Sequence, residues 1–183
     1  MLNFPSSTCN HISLAQSSLI KRLNLKNIHE LPKLNKIIVY SGINYKHDNV
    51  RSNSTFVKSD IELITNTKAV CSKAKRTIVN FNIKRGDVIG WKATLKGVIM
   101  YKFLNNLVKT VLPKTKTFEG LNLRSFDMNH NITFGIIDYS VFSDETHSIS
   151  GRLLGLNITL CIGAKCLSHS VALLSEFGFC VTK

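Results

Sequence analysis

Ile89-Gly90-Trp91-Lys92-Ala93-Thr94-Leu95-Lys96 leads into Gly97-Val98-Ile99-Met100-Tyr101-Lys102-Phe103-Leu104, and the run continues to Pro113. The first eight residues read as a strand. From Gly97 the apolar residues change period. Met100, Leu104, Leu107, Val108 and Val111 fall on one helical face, and Pro113 stops the helix. Upstream, Val70–Lys75 alternates apolar or small residues with basic ones and reads as a short strand. Between the two strands, residues 77–86 show no helical period and read as a long exposed loop or hairpin end.

Further out, Leu34–Ser41 (LNKIIVYS) is a β-branched run ended by Gly42, a strand. Arg51–Thr65 reads as a helix marked by Phe56, Ile61 and Ile64. Near the start, Ile12, Ala15, Leu19 and Leu23 share one helical face. Residues 114–130 are polar and read as a connection. Asn131–Ile137 and Leu156–Ile162 are strands. Ser168 is expected to cap a last helix through Val171, Leu174 and Phe177, with Gly178 at its end. Helices and strands mix without a regular βαβ beat. The expectation is an α+β fold: an antiparallel or mixed sheet, helices on one face, and a long basic loop between central strands. No repeat or linker divides the chain, so residues 1–183 read as one domain.

The charge is lopsided. Lys and Arg number 24 against 11 Asp and Glu, a formal net charge of +13. Residues 1–124 hold 21 basic and 6 acidic side chains, whereas residues 125–183 hold 3 and 5. The densest stretch, Lys68 to Lys116, carries 12 basic residues and the single acid Asp87. A polyanion partner follows, and nucleic acid fits best, because each cation placed on a phosphate releases a counterion. The bland reading is a solvated charged face. The weakly acidic half points to a second face with a different partner. No apolar run approaches a membrane span, so no membrane partner is expected.

Nothing calls for catalysis. The chain has no Gly-x-Ser-x-Gly elbow, and Gly86–Lys92 lacks the spacing and the Gly-Lys-Ser/Thr of a phosphate loop. The acids are scattered. Cys161, Cys166 and His169 match no common zinc spacing, and the five cysteines have no CxxC pair. They read as reduced, small apolar residues in a reducing compartment. No metal, cofactor or small-molecule substrate is expected. The first residues are Ser-rich, with neither the charged start nor the apolar run of a signal peptide.

One series of motifs goes further. Ser72-Lys73-Ala74-Lys75-Arg76-Thr77-Ile78-Val79-Asn80-Phe81-Asn82-Ile83-Lys84-Arg85-Gly86 resembles the T-K-A-R-K-S-V-A-G-F-K-I-R-Q-G segment of the bacterial-type large ribosomal subunit protein five family. Ile89–Gly97 resembles I-G-C-K-V-T-L-R-G. Leu112-Pro113, Phe118–Leu121, Ser125–Asp127 and Asn131–Gly135 follow in the family's order, as does Arg152–Thr159 with one residue shifted. Pro32–Ile37 resembles P-R-V-E-K-I. The likeness covers roughly residues 12–180.

The resemblance implies a non-catalytic protein of the ribosome's central protuberance. It would bind 5S rRNA, or a replacement rRNA segment, and large-subunit rRNA. On that reading the rRNA-binding residues are Tyr40, Thr67, Lys68, Lys73, Lys75, Arg76, Lys92, Thr94 and Lys96. Thr94 matches the family's threonine. Tyr40 stands where asparagine is usual and Thr67 where glutamine is usual. Tyr40 is expected to stack on a base or ribose, or to pack against a neighbouring helix.

The family's loop reaches P-site tRNA, which assigns Phe81, Asn82, Ile83, Lys84, Arg85 and Gly86 to that contact. Asn80 replaces the usual glycine and Asn82 the usual lysine. A bridge to small-subunit head protein thirteen falls on the segment from Asp127 to Glu145, with Asp138, Asp144 and Glu145. Departures from the bacterial and plastid patterns, and a richness in Asn, Lys and Ile whose codons are AT-rich, point to an organelle-encoded protein of a mitochondrial ribosome. The alternative from another class is a free RNA-binding regulator or RNA-processing accessory using the same patch.

Overall fold

Ile37, Ile38 and Val39 are stiff at χ1 and suit an extended backbone, and they lie in strand β1 (Lys33–Gly42). β1 is the middle strand of a five-stranded sheet whose order is β2-β3-β1-β6-β5. The others are β2 (Val70–Lys73), β3 (Val88–Leu95), β5 (Ile132–Ile136) and β6 (Leu156–Gly163). β4 (Leu121–Asn122) and β7 (Val181–Thr182) pair in parallel as a separate ribbon. The helices are α1, residues 18–23, then α2 (Val50–Thr65), α3 (Gly97–Asn106), α4 (Leu112–Lys114) and α5 (Leu167–Glu176). The computed structural model describes residues 18–25, 27–43, 50–116, 118–137, 139–142 and 155–182. Ile12 and Ala15 lie outside the described residues; Leu19 is buried.

The fold is α+β, with helices packed on one face of the sheet. Burial alternates along the strands: in β6, Leu156, Ile158, Leu160 and Ile162 are buried, and Asn157, Thr159 and Cys161 are more open. The basic loop joins β2, at the sheet's edge, to β3, so only one of its two strands is interior.

The chain groups into two units. One comprises residues 38–95 and 135–158. Within it α2 packs on β3, burying Val57, Asp60, Ile61 and Ile64 at helical spacing. Phe56, expected on this face, is 45% exposed, because the buried stripe runs through Val57 instead. Trp91 Nε1 donates to Ser54 Oγ at 3.1 Å, and Lys58 Nζ stands 5.7 Å from the Trp91 ring centroid, which pins α2 to β3. Asn66 takes the left-handed conformation just past α2, as a helix stop requires.

The other unit comprises residues 1–37, 96–134 and 159–183. Phe134 sits between Phe118 and Phe179, with ring centroids 5.9 and 6.4 Å away. Arg22 reaches Glu176 and Ser175, joining α1 to α5. The helix that opens at Gly97 differs from expectation. It does not stop before Pro113 but continues through a π-helical turn (Leu107–Val111) into α4, ending at Lys114. Proline removes a donor and crowds the carbonyl four residues back, and the widened turn lies just before it. Phe103 also joins the buried face. Ser168 is not the cap of α5. Cys166 holds that position, with no side-chain cap bond, two residues earlier than the sequence suggested. Gly178 has a φ of +91° and closes α5 as expected.

Candidate nucleic-acid interface

The basic loop is a built hairpin. Ala74 N–H donates to Asp87 O and Gly86 N–H to Ala74 O, extending the β2–β3 ladder. Nearer the tip, Ile78 and Ile83 exchange both backbone bonds, at 2.8 and 3.2 Å. Val79–Phe81 forms a single 3₁₀ turn, and Asn82 closes it with a φ of 54°. Asparagine is among the few non-glycine residues that visit this region readily. That accounts for an asparagine here, where a lysine side chain would add charge but fit the backbone less well. At the base, Asp87 Oδ2 accepts from Lys84 N–H at 2.8 Å, and Thr77 Oγ1 accepts from Arg85 N–H at 3.2 Å. These bonds hold the backbone of the two cations while their side chains stay exposed.

The tip is apolar and unburied. Val79 is 80% exposed and Phe81 60%, so Phe81 does not pack within the loop. Ile83 is half-buried, and Gly86 has a φ of +95° with open space where a Cβ would stand.

β2 and β3 pair antiparallel, with Val70 opposite Lys92 and Ser72 opposite Gly90. The register shifts between Ser72 and Lys73, a bulge next to the hairpin. Alternation puts Gly90, Lys92 and Thr94 on the face away from Trp91, Ala93 and Leu95. Lys92 and Thr94 are exposed. Tyr40 joins them, leaning across the neighbouring strand. A Cβ built on Gly90 would stand 2.6 Å from the Tyr40 hydroxyl and 2.8 Å from Cζ. The phenol end of the ring therefore lies over the Gly90 position of the sheet.

Lys68, Lys73, Lys75 and Arg76 are exposed around the same hairpin. Neither ion pair of known geometry among the described residues, Arg22–Glu176 or Lys165–Glu30, uses any of them. Lys96 is exposed and precedes α3 in the other unit, where it holds the cap position. Thr67 is turned inward. Its hydroxyl donates to Thr65 Oγ1 at 3.1 Å, and Thr65 in turn donates to Ile61 O at 2.6 Å. That spends the Thr67 proton on the end of α2.

Asp138, Asp144 and Glu145 lie outside the described residues. Asp127 is described and is committed to its own loop. Its carboxylate accepts from Asn129 N, Asn131 N and Asn131 Nδ2 at 2.8–2.9 Å. The Asn131 side-chain bond, with the backbone bonds behind it, lowers its pKa. The other end of the Asn131 amide accepts from Ile162 N–H at 3.0 Å. Among the described residues no cluster of His, Cys, Asp or Glu is placed to hold a metal. Sequence reasoning missed two features: the glycine floor under Tyr40 and the two-ended Asn131 amide. The first had a signal, since glycine inside a strand often marks a close approach. The second had none.

A sheet with one polar face, extended by a cationic hairpin, defines a protein suited to a polyanion. The pattern of the ribosomal L5P family C-terminus matches residues 88–181. The large ribosomal subunit protein uL5 of Borrelia garinii subsp. bavariensis is 40% identical over 162 residues, which cover 87% of each chain. That of Thermosipho africanus is 38% identical, covering 88% of this chain and 89% of its own. The chain belongs to the ribosomal protein uL5 family. Membership implies a structural, rRNA-binding role and no catalysis. The relatives named here are bacterial.

Proposed function

We propose that this chain is a structural constituent of the large ribosomal subunit, seated in the central protuberance. Its Lys68–Lys96 cations and the open sheet face with Tyr40, Lys92 and Thr94 hold 5S rRNA, or a replacement segment, and large-subunit rRNA. The observation that carries this reading is the hairpin of exposed cations within a chain that aligns with uL5 proteins over 87% of its length. Lysines on phosphates fix position, while hydroxyls and rings on the sheet meet ribose or base. Thr67 enters this scheme as an acceptor, since its proton is engaged on Thr65.

The hairpin tip extends the proposal to P-site tRNA. Phe81 and Ile83 supply apolar surface, and Lys84 and Arg85 lie on a backbone fixed by Asp87 and Thr77. Crosslinks from position 84 to P-site tRNA in translating ribosomes are the expected result; crosslinks to rRNA alone refute the tRNA role. Asp138, Asp144 and Glu145 are proposed to meet a basic small-subunit head protein, protein thirteen of that subunit. Charge reversal at Asp138 and Asp144 should then loosen subunit association at low magnesium. The mitochondrial ribosome is proposed from the departures from the bacterial and plastid patterns, with the Asn-, Lys- and Ile-rich composition as a second ground.

The deciding experiment is sedimentation. The tagged chain should travel stoichiometrically with large subunits through a high-salt wash. A free regulator of RNA would dissociate, and that outcome overturns the ribosomal reading.

A further inference from the structure

Gly90 is buried inside β3, yet it has no side chain to bury. What covers it is Tyr40, whose phenol end fills the space of the missing Cβ. Gly42, two residues along β1 on the same face, leaves Cε1 and the hydroxyl of Tyr40 3.8 Å from its own Cβ position. Two glycines thus leave room beside the ring, and Tyr40 stays half-exposed. Lys92 and Thr94 stand exposed on the same face, and Ser72 lies opposite Gly90 in register. A half-exposed aromatic ring whose phenol end rests over a glycine, on a sheet face that also carries an exposed lysine, has features of a nucleobase platform.

We infer that Tyr40 is a stacking platform for one unpaired base of RNA, and that Gly90 is the positioning residue that lets the ring lean over the sheet. Lys92 is placed for the phosphate of the same nucleotide. The inference rests on the proposal that this face meets RNA. It differs from the amide hydrogen bonding that an asparagine at position 40 would offer, because the ring recognises a π-face and its hydroxyl is dispensable.

The test uses the full chain and a hairpin RNA whose loop carries 2-aminopurine. Wild type and Tyr40→Phe should bind alike and quench the probe. Tyr40→Leu should bind about 5- to 150-fold more weakly, the range expected for one lost base stack. Its salt dependence should be unchanged, since no phosphate contact is lost. Gly90→Ala, which displaces the ring, should follow Tyr40→Leu. If Gly90→Ala does not fold, the Tyr40 pair still decides. Equal binding by Tyr40→Leu, or weakening by Tyr40→Phe as well, overturns the platform while leaving the RNA-binding reading standing. Failure of the wild-type chain to bind the hairpin overturns both.

Discussion

Replacing Lys73, Lys75 and Arg76 together with glutamine removes three exposed cations clustered at the base of the hairpin. None belongs to either ion pair of known geometry, so folding should barely change, within about 0.5 kcal/mol. RNA binding should change strongly. Each phosphate-bound cation contributes about 0.7–0.9 to the slope of log affinity against log salt, so three contribute about 2–3. Over a fourfold rise in salt, the wild type should therefore lose about 20- to 40-fold more affinity than the triple variant. Titrating large-subunit RNA across that range, with thermal unfolding as a control, reads both quantities. An unchanged slope in a folded variant refutes the assignment. It would mean that these side chains are only a solvated face.

Three further outcomes concern the scaffold. A Cβ on Gly90 would stand 2.5 Å from Ser41 O, a backbone atom that cannot swing aside. Gly90→Ala should therefore destabilise the protein by about 1–3 kcal/mol in denaturant unfolding, and a neutral result would contradict the close approach. Asn131→Ala strips partners from both Asp127 and Ile162 N–H, and should cost about 1–2 kcal/mol; a midpoint equal to wild type would show the amide to be incidental. Asp127 has its pKa lowered in the folded state, so it stabilises above about pH 4, its unfolded value. That contribution is lost as pH falls through the folded value. The gap in melting temperature between wild type and Asp127→Ala should therefore close in acid, and a gap independent of pH refutes the linkage.

Periodicity is a local property, and where it governs the backbone the reading was sound. β1, β3, β5 and β6 fall within a residue or two of expectation, and so do α2 and the stop at Gly178. The cationic stretch and the ordered motifs likewise needed no coordinates, since charge and family pattern are written in the chain. What went astray depended on neighbours. β4 and β7 are two residues each, too short for any period, and exist because residues 121–122 and 181–182 meet. Phe56 and Val57 are adjacent apolar residues; packing on β3 chose Val57. Pro113 reads as a stop, yet a π-helical turn lets the helix run past it. At the site, sequence could name Tyr40 and Thr67 but not their directions. One ring leans over Gly90 and one hydroxyl turns to Thr65, because directions are set by what stands beside them in space. Composition and order along the chain thus sufficed for the longer elements, the charge and the family. The aim of each side chain had to wait for long-range contacts, whose geometry no local window contains.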